Sequence, residues 1–171
     1  MGLHRYLLLL WLIAAFQGAA LASAGDKSAA EDAAEVRQFA VTPQVTLAGL
    51  PSRAQLQALS AAGTVIIDLR DAAERTSDQP RLAGLDITHF PSGRTVQSSK
   101  QLAAFSELMT AAGQRPVYIY CASGNRAGLV WASHLIAQGY SVEAALAEVS
   151  EAVTSKPIKT AIRKAAEEQQ P

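Results

Sequence analysis

Only one of the chain's 171 residues is a cysteine, Cys121. No disulfide can form within the chain, so the fold must rest on a packed core, and 171 residues suffice for one. Neither sign of charge is in excess, with 15 Lys+Arg against 15 Asp+Glu. That balance argues against a nucleic-acid groove or a polybasic membrane patch. Three dispersed histidines and a lone thiol offer no metal-ligand spacing, and nothing in the sequence calls for a cofactor. One local absence bears on the chemistry: no Asp or Glu lies between Asp86 and Glu107.

The first 24 residues differ from the rest. His4-Arg5 is a short basic start, Leu7 to Phe16 is apolar, and Ala22-Ser23-Ala24 offers a cleavage site. The apolar stretch is short for a bilayer span. The order of parts is that of a secretory signal peptide, residues 1–24, which predicts a periplasmic or secreted protein with no membrane contact after processing. Beyond it no segment is long and apolar enough to span a membrane. An exported chain with an odd cysteine points to a reactive thiol or an intermolecular bridge.

Residues 25–40 begin small, polar and acidic and read as a flexible leader. Ser52 followed by Gln55 fits a capping box opening a helix over 53–62. Thr64 to Leu69 is an unbroken apolar run of strand length, as a parallel strand buried on both faces requires. The stretch 70–84 is polar and irregular. Leu85 to Phe90 reads as a strand, 100–112 as a helix with Leu102, Phe105, Leu108 and Met109 on one stripe, and Pro116 to Tyr120 as another strand. Helices follow after Arg126, after Ser141 and from Pro157. Strands alternating with helices predict an α/β domain over 41–155, with a mostly parallel central sheet flanked by helices in three layers. Residues 156–171 read as a terminal helix and polar tail.

Cys121 stands at the end of one strand, where ligands bind in such sheets. The loop Cys121-Ala122-Ser123-Gly124-Asn125-Arg126 then leads into a helix. Backbone N–H groups in such a turn converge on one point, and the helix N-terminus adds positive potential. An anion bound there meets a thiol nucleophile and an arginine whose fork matches two oxygens. Cys121 and Arg126 are the candidate catalytic pair, and Ala122, Ser123, Gly124 and Asn125 the anion cradle. Arg70 and His89, at neighbouring strand ends, are candidates to support them. Arg94 is a candidate for charge at the mouth. Asp68 and Asp71 are the only carboxylates at a strand end that could reach the thiol, and neither is assigned a role. His134 and Trp131 read as core residues.

Cys-x-x-Gly-x-Arg after a buried strand resembles the active-site loop of rhodanese-type sulfurtransferases and the phosphate loop of cysteine-dependent phosphatases. Over roughly Thr46 to Ser150 the chain most resembles the phosphatase-like domain of beta-lactamase hydrolase-like proteins, a branch of the dual-specificity phosphatase fold. The resemblance is carried by Gly49-Leu50-Pro51-Ser52, Val65 to Arg70, His89-Phe90-Pro91, Cys121 to Gly128 and the helix after Gly139. It implies thiolate chemistry on a small anionic substrate: thiosulfate, a persulfide or a phosphate ester.

Two departures from the phosphatase pattern rank the reactions. Four residues separate Cys121 from Arg126 where such phosphatases place five, and Pro91 to Val96 holds no carboxylate where they carry an acid. Cleaving a phosphate ester gains about 10²–10⁴-fold from an acid, whereas sulfite leaves thiosulfate without one. Read this way, sulfur transfer through a Cys121 persulfide to a thiol acceptor comes first and a phosphatase second. A non-catalytic anion-binding or thiol-sensing module comes third. The leader makes a direct prediction: N-terminal sequencing of protein from a periplasmic extract should begin at Gly25, and a full-length cytosolic product would refute export.

Overall fold

The computed structural model describes residues 36–169. The proposed signal peptide and most of the leader lie outside them. Five strands form one sheet: β1 (Gln38–Ala40), β2 (Val45–Ala48), β3 (Val65–Asp68), β4 (Thr88–His89) and β5 (Val117–Tyr120). Their order is β1-β2-β5-β3-β4. Only β1 runs antiparallel to its neighbour; β2, β5, β3 and β4 are parallel. The expected mostly parallel α/β architecture is present. β1 shows that the end of the segment read as a flexible leader, residues 38–40, is an edge strand.

Seven helices are described: α1 (Arg53–Ala61), α2 (Ala72–Thr76), α3 (Gln79–Leu82), α4 (Ser99–Ala112), α5 (Asn125–Ala137), α6 (Val142–Glu148) and α7 (Lys156–Gln169). The capping box at Ser52 and Gln55 forms as its spacing requires. Ser98 caps α4, again with a glutamine three residues on. The stretch 70–84 is not irregular: it holds two short helices, α2 and α3, and Asp71 with Glu74 builds a third capping box. Little of the predicted strand over 85–90 pairs; only Thr88 and His89 join β3.

Side-chain alternation sorts the core into two layers. Odd-numbered residues of β5 and β3, Val117, Ile119, Ile67 and Leu69, join Cys121 in the larger core with α5, α6 and α7. Even-numbered Tyr118, Tyr120 and Ile66 face the smaller core with Leu56 of α1 and Leu82 of α3. Helix α5 is buried over nearly its whole length, from Arg126 to Ile136, so sheet and helices surround it. Ile158, Ile162 and Ala165 of α7 are buried in the same core, so α7 belongs to the domain and the expected boundary at 155 falls too early.

Gly128 marks the tightest approach to α5. A Cβ there would collide with Val153 Cγ2, while Val149 Cβ and Ala152 Cβ stand at ordinary contact, 3.5 and 3.6 Å. Valine is stiff at χ1 and has little room to yield. Gly128→Ala should destabilise the fold by about 1–3 kcal/mol through overpacking, read as a lowered urea midpoint with unchanged m. An unchanged midpoint would mean that the turn at Val153 moves freely.

Candidate active site

The loop after β5 is pinned at both ends. Cys121 N–H donates to Ala48 O at 3.2 Å. Gly49 and Ser123 form an isolated antiparallel bridge. Gly124 then adopts φ 88°, a left-handed conformation that favours glycine, and a Cβ there would sit 3.3 Å from Phe39 Cε2. Its N–H donates to Cys121 Sγ at 3.2 Å. No side chain caps α5 at Gly124, so the helix's positive end opens into the loop. The thiol itself is buried beneath this turn.

Asn125 has a role that its place in the motif did not reveal. Its Oδ1 accepts the N–H groups of Thr154 and Ser155, both at 2.9 Å, and its Nδ2 donates to Ser123 Oγ at 3.2 Å. The side chain points to the turn before α7 and braces the loop.

Arg126 is gripped from across the chain. Nη1 donates to Glu74 Oε2 at 2.8 Å and Nη2 to Glu74 Oε1 at 2.6 Å. This fork uses two of the five guanidinium N–H groups and leaves one edge, Nε–H with an outer Nη–H, to fork onto an anion. The bonds from Arg126 hold the Glu74 carboxyl at about 2, far below its ordinary 4.5. In return Glu74 raises the Arg126 pKa, and the nearby Cys121 acts in the same direction. Sequence reasoning missed Glu74. Its signal was the Asp71-x-x-Glu74 capping box inside a stretch taken as irregular.

Arg126 and Glu74 line a cleft of about 310 Å³ with Asp71, Pro91, Ser92, Gly93 and Arg94. Arg94 therefore stands beside Arg126, in a loop, residues 91–96, that holds no carboxylate. Two other expectations fail. Arg70 does not approach the thiol: it is buried against Asp68 (2.9 Å) and Asp78 (2.8 Å), with Tyr120 beneath it. The reason is strand parity, since Asp68 and Tyr120 lie on the sheet face opposite Cys121. His89 is exposed on the edge strand and bonds Arg70 O at 2.8 Å, away from the cleft.

The same network removes Asp68 as a proton donor. Burial pushes its carboxyl up, but bonds from Arg70 outweigh burial and the net shift is downward, so it is a fixed anion. Asp71 is the remaining cleft carboxylate, exposed, with Oδ1 accepting Glu74 N–H at 2.8 Å. His134 is a core residue, as read from the sequence: it packs on Phe105 and Trp131, and burial lowers its pKa. Among the described residues no group of three or more His, Cys, Asp or Glu could hold a metal ion.

Comparison with known proteins places this geometry. The model of the family described as beta-lactamase hydrolase-like protein, phosphatase-like domain, matches residues 33–140, and the chain belongs to that family. Among solved structures it is similar to Tk-PTP in the active form, with 22% identity, TM-score 0.58, and coverage of 78% of this chain and 97% of that one. TpbA of P. aeruginosa gives 21% identity, TM-score 0.57, and coverage of 75% and 84%. Kinase-associated phosphatase, with its catalytic-site cysteine replaced by serine, gives 16%, TM-score 0.59, and coverage of 78% and 94%. A comparison with curated proteins finds no match. The domain is a cysteine-phosphatase-like one in fold.

The Glu74–Arg126 pair should leave a pH signature. The folded pKa of Glu74 is depressed, so its stabilisation is complete above 4.5 and is lost as pH falls towards about 2. Glu74 keeps 34% of its side chain exposed, so solvent screens part of the effect. The stability gap between the parent and Glu74→Gln should be constant at neutral pH and close on acidification through that window. Urea unfolding at a series of pH values reads it; a pH-independent gap would show that the pair contributes nothing.

Proposed function

We propose that this member of the beta-lactamase hydrolase-like phosphatase-like family is a cysteine-dependent phosphatase acting on aryl phosphate monoesters. One arrangement carries the reading: a thiol under a turn whose Gly124 N–H points at it, an uncapped helix N-terminus, and an arginine held in place by a carboxylate. Family membership and the phosphatase neighbours weigh for this reaction over the sulfur transfer that loop length and the missing acid put first.

The Cys121 thiolate attacks phosphorus, forming an S–P bond as the ester P–O bond breaks. The loop N–H groups and the free edge of the Arg126 guanidinium take up the charge on the phosphoryl oxygens. The departing oxygen takes a proton, and water then cleaves the S–P bond, releasing phosphate and restoring the thiolate. With Asp68 locked to Arg70, Asp71 or a cleft water is left to supply the proton. A phenolate is a weaker base than an alkoxide and needs that proton less, which favours an aryl leaving group. TpbA has been solved in complex with phosphotyrosine. That complex is the reason to put tyrosyl phosphate first among substrates. We place the activity in the periplasm or outside the cell on the strength of residues 1–24 alone.

A second reading keeps the same thiol. The four-residue spacing and the absence of Asp or Glu between Asp86 and Glu107 favour transfer of a sulfane sulfur from thiosulfate. One preparation decides. A phosphotyrosine peptide should release phosphate, and Cys121→Ser should lose at least about 10³-fold of that turnover, as expected for removal of a nucleophile. No phosphate release, with thiosulfate adding one sulfur to Cys121 by mass spectrometry, would overturn the phosphatase in favour of the sulfurtransferase.

A further inference from the structure

Arg94 lines two clefts, not one. It borders the cleft over Arg126, and it also borders a neighbouring cleft of about 430 Å³ with Thr95, Thr160 and Lys164. Thr160 and Lys164 lie one turn apart on α7. The second cleft therefore presents a guanidinium, an ammonium and the Thr95 hydroxyl beside Val96, Pro157 and Ala161, while Thr160 Oγ1 donates to Lys156 O at 3.2 Å. Among the described residues no carboxylate lines it, and neither Arg94 nor Lys164 takes part in a salt bridge. Both residues are exposed to solvent.

Two like charges lining one hollow, with no counter-ion among the described residues, repel each other, and a bound dianion relieves that repulsion. Arginine offers a fork to its oxygens, lysine a compact charge, and Thr95 a further hydroxyl donor. We propose that this hollow is a second anion subsite, and that the substrate carries a second phosphate on its leaving group, held between Arg94 and Lys164. The proposal rests on the phosphatase reading for the first phosphate. Arg94 is shared by the two clefts, so an anion held there is one side chain away from the ester over Arg126.

The test uses two peptides, one with adjacent phosphotyrosines and one in which the second tyrosine is unmodified. The parent protein should prefer the doubly phosphorylated peptide in kcat/KM by about tenfold, the scale of one charge-assisted bond. The preference should shrink with added salt and fall close to one in Lys164→Gln. The same two peptides are titrated calorimetrically into the Cys121→Ser protein and into its Lys164→Gln derivative. No turnover of either peptide, with a binding preference that Lys164→Gln removes, would sink the phosphatase reading and leave the subsite standing. Equal kcat/KM or equal affinity for the two peptides, or a preference that survives Lys164→Gln, would overturn the subsite.

Discussion

The Glu74–Arg126 ion pair is the contact on which the site depends. It joins residues 52 positions apart and ties α2, on one strand-end loop, to the first turn of α5. Without it, the arginine would have its charge but not its aim. A long flexible side chain loses much of its rotamer freedom when it must hold an anion, and Glu74 removes most of that freedom in advance. Glu74 is itself fixed, because its backbone and side chain complete a capping box with Asp71. Local helix-capping chemistry thus becomes orientation at the reacting centre.

The architecture was legible where side-chain periodicity was strong. The apolar run before Leu69 and the strand before Cys121 are buried parallel strands, and Ser52 and Ser141 open helices as their places in the sequence implied. The pair Cys121 and Arg126 was readable because a thiol, a glycine and an arginine at that spacing can do little else together. Glu74 was not, since its function needs a partner beyond any local window. Asn125 was half-readable: its place in the loop was plain, but its anchoring of Thr154 and Ser155 depends on where α7 returns.

The failure at Arg70 is instructive for another reason. Proximity in topology put it at the correct end of the sheet, yet proximity says nothing of which face a side chain takes. Counting in twos from Leu69 would have placed Arg70 with Ile66 and Tyr120, and away from the sulfur. There it serves a purpose of its own. Buried between Asp68 and Asp78, it fixes two anions in a region that would otherwise have to solvate them.

The brace from Asn125 has a consequence for how the protein comes into being. Thr154 and Ser155 leave the ribosome after the loop and α5, and the loop leans on them. The sheet and α5 can assemble earlier, but the loop around the sulfur is completed only when the turn before α7 arrives. A chain cut before Thr154 would thus carry the thiol without its finished cradle, and reactivity would wait on that turn.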